Sequence, residues 1–222
     1  MTDAPTRTPI QIDIVSDIVC PWCWLGWRYL KDAINQSSHP IEVNWRAYML
    51  DANVPKTGVD YKSYMKQKFG DAPDNRFKQM RQHLEAAAPA AGIEFKFDGI
   101  PKRPNTLASH QLMRWAQGQG RANEMAEALF RAFFTEHRDI NDEAVLLSLA
   151  KSTHMDPDII QSLFAKGADE AAVMEEISAV SRAGIRSVPS YIYQGQYLVQ
   201  GAQSAEAHLQ VIEKLSSEMN NA

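Results

Sequence analysis

Residues 17–27, "DIVCPWCWLGW", decide the fold, because they contain Cys20 and Cys23, the two cysteines of this 222-residue chain. Before them, isoleucines at every second position of residues 10–15 alternate with polar side chains, which is typical of a half-buried strand. After them, apolar residues recur at helical spacing with no further proline before Pro40, which predicts a helix that ends ahead of that proline. The cysteine pair is therefore predicted to lie at a junction between a strand and a helix.

A Cys-x-x-Cys pair at the start of a helix has a specific chemistry. Backbone N–H groups of the first turn have no intrahelical partners, and together with the helix dipole they favour the thiolate of Cys20, which makes it a nucleophile. Cys23, almost one turn further along, is placed to attack a mixed disulfide on Cys20 as the resolving thiol. Pro21 suits the first turn because its missing N–H has no partner to lose. Trp22 is expected to be an apolar, exposed ring that contacts substrate or shields the sulfur.

The residues leave other roles open for this segment. A structural zinc site needs about four ligands, but there is no second Cys-x-x-Cys and the six histidines are scattered, so no metal is expected. Two inert core thiols are a weaker alternative, because a strand-to-helix junction with Pro-Trp between the cysteines is a poor place to bury both. Asp13 and Asp17, which flank the end of the predicted strand, either accept a proton from Cys23 or cap the loop.

The middle of the chain is predicted to be helical. A second strand is expected over Ile41–Leu50, and beyond it the strand pattern nearly vanishes, with one short recurrence at Ile93–Asp98. Helical patterns replace it, and Asn141 and Asp156 are the expected N-caps of two of these helices. We therefore expect several consecutive helices in residues 51–186.

The strand pattern returns near the C terminus. Residues 191–193 and 197–199 flank the turn "QGQ" and predict a hairpin, and a last amphipathic helix begins at Ser204. The two ends of the chain thus read β-α-β and β-β-α, which predicts an α/β protein with a thioredoxin-like fold and an all-helical insertion after the second strand. Residues 1–50 and 187–222 would form the discontinuous thioredoxin-like domain, and residues 51–186 the insertion domain.

Composition and charge exclude several classes of partner. The net charge of −4 and the absence of a local Lys/Arg cluster argue against nucleic acid and against anionic lipid surfaces. No apolar stretch has the length of a membrane span, and the first apolar run is interrupted by aspartates, so it cannot serve as a signal-peptide core. With two cysteines and no export signal in the sequence, a cytoplasmic location is expected.

Motifs along nearly the whole chain resemble the DsbA-like thioredoxin-fold oxidoreductases, and specifically the FrnE-like branch of that family. They are "SDIVCPWCWLG", "PNTLASHQLMRWA", "LFRAFFTEHRDINDEAVL" and "GIRSVPSYIYQGQYLVQGAQS". The resemblance implies that Cys20 is the attacking thiol and Cys23 the resolving thiol. It also implies that Pro189 is a cis-proline facing the pair, which leaves the backbone of Val188 free to bind an extended substrate segment.

The segment "NTLASH" has two interpretations. Asn105 is most simply an N-cap, and His110 a helix residue whose ring is hydrogen bonded. In the related kappa-class glutathione transferases and chromene-carboxylate isomerases, the corresponding helix borders the thiol-ligand site, which makes Asn105 and His110 candidate pocket residues. These relatives usually have serine where this chain has Cys20, which puts conjugation or isomerisation of glutathione adducts in doubt.

The predicted function is that of a thiol-disulfide oxidoreductase, a reductase, isomerase or oxidase, which acts on proteins or small thiols. It needs no cofactor beyond its own redox-active disulfide, and glutathione is a candidate reductant. The alternatives are a glutathione-dependent transferase or isomerase of the same fold, and a non-catalytic, chaperone-like protein that holds unfolded chains. The oligomeric state is left open.

Overall fold

The structure is a computed structural model that describes residues 7–70 and 76–220. Its elements, in chain order, are β1 (Ile10–Ser16), α1 (Pro21–Gln36), β2 (Ile41–Ala47), β3 (Val59–Asp60), α2 (Tyr61–Phe69), α3 (Arg76–Ala87), a short 3-10 helix (Phe97–Gly99), β4 (Lys102–Arg103), α4 (Leu107–Gly118), α5 (Ala122–Phe134), α6 (Glu143–Ser152), α7 (Pro157–Ala165), α8 (Glu170–Arg182), β5 (Ser190–Tyr193), β6 (Tyr197–Gln200) and α9 (Ala205–Asn220).

The two ends of the described chain build one four-stranded sheet, in the order β2-β1-β5-β6. β1 pairs with β2 in parallel, as a strand-helix-strand unit requires, and with β5 in antiparallel orientation. The isoleucines of β1 at positions 10, 12 and 14 are all buried, which explains their alternation with polar residues. The predicted α/β thioredoxin-like fold with an insertion after the second strand is confirmed.

The C-terminal hairpin has the predicted position. Its turn places Gln194 and Gly195 at positive φ (51° and 67°), and the amide of Gln196 donates to the carbonyl of Tyr193 at 2.9 Å. Positive φ at both central residues is the conformation that connects two twisted antiparallel strands best. The glycine of "QGQ" is therefore used for its backbone freedom.

Two local predictions for the insertion were wrong. Residues Ile93–Asp98 do not form a strand. Ile93 and Phe97 are each buried individually, and the rings of Phe95 and Phe97 stack with their centroids 5.1 Å apart. The alternating apolar pattern comes from this packing. The N-cap of α6 is Asp142, whose carboxylate accepts from the amide of Ala144 at 2.9 Å.

The neighbouring Asn141 makes a different contact. Its side-chain amide donates to the carbonyl of Lys56, so it joins two parts of the insertion. By contrast, Asp156 caps α7 as predicted. Apart from its helices, the described insertion contains one antiparallel ribbon, formed by the two-residue strands β3 and β4.

One hydrophobic core joins the sheet to the insertion. Trp24 of α1 stacks on Phe130 and Phe134 of α5, at 6.0 and 6.1 Å between ring centroids, and Trp27 packs edge-on against Trp45 of β2 at 5.3 Å. The helix α1 is thus packed between the sheet and the insertion. Because the core is shared, the division into two domains stays a prediction, and residues 1–6, 71–75 and 221–222 of those domains lie outside the described residues.

No helix within the described ranges is long and apolar enough to cross a lipid bilayer.

Candidate active site

Cys20 is the residue that precedes α1. Its backbone is extended (φ −99°, ψ 110°), its amide donates to the carbonyl of Asp17 at 3.0 Å, and its carbonyl accepts from the amide of Cys23 at 3.0 Å. Pro21 occupies the first turn, where its missing N–H leaves no donor without a partner. Both cysteines are free thiols, and both are buried, Cys20 at 4% and Cys23 at 1% exposure, so the expectation that this junction would not bury both was wrong. The Cys20 side chain is thus held at the N-terminus of a sixteen-residue helix.

Cys23 lies behind Cys20 in the core and is 1% exposed. Burial first, and then the neighbouring Cys20 thiol, raise the pKa of Cys23 well above its ordinary value. The hydroxyl of Ser16 and the backbone of Asp17 offset only part of this rise. Cys23 therefore holds its proton in the structure.

The loop before β5 meets the cysteines. The carbonyl of Val188 lies 3.8 Å from Cys20 Sγ and accepts from the thiol, across a separation of 168 residues. The Val188–Pro189 peptide bond is cis, as the family resemblance implies. Pro189 also faces the active-site helix, because a Cβ on Gly26 would lie 3.2 Å from its Cγ. The structure thus brings Cys20, Cys23, Val188 and Pro189 together.

The two residues between the cysteines are at the edge of the site. Pro21 and Trp22 are both half-buried, and Trp22 packs in part against the hydrophobic core. Trp22 is therefore less exposed than the sequence suggested, because part of its ring packs against the hydrophobic core. That these two side chains contact substrate stays a prediction.

Asn105 and His110 are buried and hydrogen bonded. The Asn105 carbonyl oxygen accepts from the amide of Leu107 at 3.0 Å, and its NH₂ group donates to the carbonyl of Val54 at 2.7 Å. The N-cap of α4 is Thr106, so the prediction of Asn105 as the N-cap was wrong by one residue. His110 Nε2 donates to the carbonyl of Tyr48 at 2.9 Å. Both residues thus have structural partners, and their role in a ligand pocket stays a prediction.

The two aspartates flanking the end of β1 have different environments. Asp13 pairs with Arg46 at 3.0 Å near the surface. Asp17 is fully buried beside the cysteine loop, where one carboxylate oxygen accepts from the amide of Leu50 at 2.8 Å and the other lies 3.4 Å from His110 Nε2. Of the two, only Asp17 is part of the site's interior.

Sequence reasoning missed a buried arginine beside the site. Arg103 Nη1 donates to the carbonyl of Val19 at 3.0 Å, and Nη2 donates to Asp51. Burial of Asp51 disfavours its carboxylate, but Arg103 and Lys68 outweigh this effect and lower the pKa of Asp51. The contact joins residues 84 positions apart, so no local pattern could have indicated it. It ties the residue before Cys20 to the insertion.

Among the described residues, no group of three or more His, Cys, Asp or Glu side chains is arranged to hold a metal ion.

Comparison with known proteins shows the family. The model of the DsbA-like thioredoxin domain matches residues 11–213. The uncharacterized protein YwbO from Bacillus subtilis is 25% identical over 199 residues, which are 87% of this chain and 90% of that protein. The crystal structure of a probable DsbA oxidoreductase from Streptomyces coelicolor superposes with a TM-score of 0.84 at 25% identity, over 94% of this chain and 91% of that one.

A more distant structure shares the fold. The cytosolic disulfide reductase DsbM from Pseudomonas aeruginosa, solved with GSH, has a TM-score of 0.64 at 16% identity and covers 93% of this chain and 99% of its own. Since the family model spans nearly the whole sequence, including both cysteines and Pro189, the chain belongs to the DsbA-like thioredoxin-domain family.

Proposed function

We propose that this protein is a thiol-disulfide oxidoreductase whose Cys20 and Cys23 cycle between a dithiol and a disulfide. The observation that carries the proposal is the position of Cys20 Sγ at the N-terminus of α1, 3.8 Å from the Val188 carbonyl, with the protonated Cys23 buried behind it. A nucleophilic thiol at the N-terminus of a helix and a second, resolving thiol beside it are the parts that thiol-disulfide exchange needs.

The reaction follows from this arrangement. The Cys20 thiolate attacks a disulfide R–S–S–R′, so that a bond forms between Cys20 and one substrate sulfur and R′–S⁻ leaves and takes up a proton. Cys23 then loses its proton and attacks Cys20, which releases the second substrate thiolate and leaves the intramolecular disulfide. The substrate gains two electrons and the enzyme loses two. A reductant must restore the dithiol, and the reverse sequence oxidises a dithiol substrate.

For substrate binding, we propose the surface around Cys20. The backbone at Val188 precedes β5 and can pair with an extended peptide, which gives affinity without strong side-chain specificity. Pro21 and Trp22, both half-buried, form the other rim. This arrangement suits a broad range of thiol- or disulfide-containing proteins and small thiols. Asn105 and His110 belong to the wall behind this surface in our proposal.

The finer assignment is to a cytoplasmic, FrnE-like reductase or isomerase with glutathione as reductant. The resemblance of the motifs supports the branch, and the cytosolic DsbM, solved with GSH, supports a glutathione-coupled reductase on this fold. We expect a reduction potential between those of thioredoxin, about −270 mV, and DsbA, about −120 mV. The reason is that Pro-Trp lacks the histidine that stabilises the thiolate in the strongest oxidants.

Reduction of insulin disulfides with wild type, Cys20→Ser and Cys23→Ser tests the proposal. We expect turnover by wild type and none by either variant. Turnover of a glutathione-acceptor pair that survives Cys23→Ser would instead favour the transferase or isomerase alternative. Binding of unfolded insulin without any turnover would favour a chaperone-like protein.

A further inference from the structure

The dithiol mechanism leaves one proton unaccounted for, and this inference rests on the proposed function. Cys23 is 1% exposed and protonated, yet it must lose its proton at the moment it attacks the mixed disulfide on Cys20. Water at the surface of the site cannot reach a thiol that is buried to this extent. A proton acceptor must therefore be connected to Cys23 from inside the protein.

The first group on such a path is the hydroxyl of Ser16, at the end of β1. Ser16 is 2% exposed and lies against the Cys23 thiol, where it favours the thiolate. Its Oγ is buried without a hydrogen-bond partner among the described residues. A buried hydroxyl carries both a donor hydrogen and acceptor lone pairs, so it can take a proton from one side while it gives one to the other.

A small cavity continues from Ser16. Its volume is about 40 Å³, which exceeds the roughly 10–15 Å³ that one water molecule requires. Ser16 and His110 both line it, so a water molecule there would connect the hydroxyl with the imidazole. The remaining charged groups on its wall are Arg46, Arg114 and Glu176.

These three charged side chains lead the cavity towards the surface. Arg46 and Arg114 are 40% and 46% exposed, and both are engaged in ion pairs, Arg46 with Asp13 and Glu176, and Arg114 with Asp169. A proton that reaches the cavity therefore has a way to solvent that does not pass Cys20. The paired arginines do not themselves accept protons.

The hydrogen bonds of His110 assign its tautomer. The Tyr48 carbonyl can only accept, so Nε2, 2.9 Å away, carries a hydrogen and Nδ1 is the proton acceptor of the neutral ring. Asp17 Oδ1 lies 3.4 Å from Nε2 and has no hydrogen-bond partner of its own among the described residues. This carboxylate is placed to stabilise the imidazolium that forms when Nδ1 takes a proton.

We propose that Ser16, a water molecule in this cavity and His110, supported by Asp17, form the path by which Cys23 loses and regains its proton. In the resolving step the Cys23 S–H bond breaks, its sulfur forms a bond with Cys20, the bond between Cys20 and the substrate sulfur breaks, and the proton moves through Ser16 to His110. The substrate thiolate leaves with the electron pair. In the reverse direction the same groups return the proton.

The test separates the two chemical steps. Reduced protein is mixed rapidly with excess oxidised glutathione and quenched with acid, and intact mass spectrometry follows the mixed disulfide at Cys20 as it forms and then resolves. The variants are His110→Gln and, independently, Ser16→Ala. The matched control is His39→Gln, because His39 is also buried and also donates from Nε2 to a backbone carbonyl, that of Thr8, at 2.9 Å.

We expect the resolution rate to fall by at least about tenfold in His110→Gln and in Ser16→Ala. An internal base typically accelerates such a step by a factor of about 10² to 10⁴, and hydroxide from solvent would restore part of the lost rate. In both variants, formation of the mixed disulfide should stay within about twofold of wild type, because the attack by Cys20 does not require the proton of Cys23 to leave. The control His39→Gln should match wild type in both steps, because His39 is not part of the proposed path. In wild type the resolution rate should level off as pH rises, whereas in His110→Gln it should keep rising with hydroxide concentration.

Several results would overturn the proposal. Resolution at the wild-type rate in folded His110→Gln and Ser16→Ala would do so, and so would equal slowing of both steps or the same pH profile in all proteins. Thermal melting identifies a variant that does not fold, in which case the other variant decides. If wild type itself forms no intramolecular disulfide, the proposed function fails. If wild type forms the disulfide normally and the variants resolve as fast as wild type, only the proton path fails.

Discussion

Substitution of Gly26 by alanine tests the contact between the active-site helix and the loop of Pro189. Gly26 lies inside α1, where alanine normally stabilises a helix by about 0.5–1 kcal/mol relative to glycine. A Cβ at this position, however, would lie 2.2 Å from the Tyr191 hydroxyl, 3.2 Å from Pro189 Cγ and 3.3 Å from the Cα of Ala202. Ordinary contacts are roughly 3.5–4.0 Å, so the phenol would have to move by at least about 1.3 Å.

The surroundings allow little of that movement. Tyr191 is fully buried in the centre of the sheet, where its strand is paired on both sides, with Ile14 and with Val199. Overpacking of this kind costs about 1–3 kcal/mol. After subtraction of the helix gain, we expect Gly26→Ala to lower the free energy of unfolding by up to about 2.5 kcal/mol. For a chain of this size, that lowers Tm by up to about 10 °C.

Thermal and urea unfolding followed by circular dichroism measure the effect. Gly118→Ala is the matched control, because Gly118 is also helical and a Cβ there meets no atom within 4 Å. The control should leave Tm unchanged or raise it slightly. If Gly26→Ala stabilised the protein as much as the control does, the close approach of β5 and its preceding loop to α1 would be wrong.

Three further predictions concern buried groups. Burial lowers the pKa of His208 to about 4, from about 6.5 in the unfolded chain. The stabilisation from the neutral ring is therefore fully present above pH 6.5 and is lost as pH falls towards 4, by about 3 kcal/mol in total. Urea unfolding at a series of pH values should show this loss, and a His208→Gln variant with the same acid profile as wild type would contradict the assignment. Arg103→Met should lower the free energy of unfolding by about 3 kcal/mol, because it removes the buried guanidinium and leaves the half-buried Asp51 carboxylate with Lys68 alone. The exposed control Arg182→Met should change the free energy of unfolding by less than about 0.5 kcal/mol, and equal effects of the two substitutions would contradict this ion pair. In the reduced, folded protein, iodoacetamide should modify Cys20 and spare Cys23, whose raised pKa keeps it protonated; peptide mapping that finds equal labelling would refute this order.

The parts of the fold that could be predicted from sequence are those specified by local pattern. The isoleucines of β1, the Cys-x-x-Cys at the start of α1 and the hairpin around Gly195 each carry their own signal, and their order along the chain indicates the topology. Pro189 was placed by resemblance, because one sequence cannot show which segment folds against Cys20.

The remainder depends on contacts between distant segments. The bond from Arg103 to the Val19 carbonyl, and the cavity shared by Ser16 and His110, join α4 and the ribbon to the cysteine loop, and neither has a periodic signature. The pattern at Ile93–Asp98 misled for the same reason, because tertiary packing of single aromatic residues produces an alternation that resembles a strand.

The central claim is that Cys20 and Cys23 interconvert between a dithiol and a disulfide. Equilibration of the wild type in buffers of reduced and oxidised glutathione, followed by acid quenching and intact mass spectrometry, measures this directly. We predict a reversible change between two forms that differ by two hydrogens, with peptide mapping that locates the bond between Cys20 and Cys23, and a glutathione adduct on Cys20 in Cys23→Ser. Two thiols that stay free, or that form only glutathione adducts, across the whole range of buffers would contradict the account.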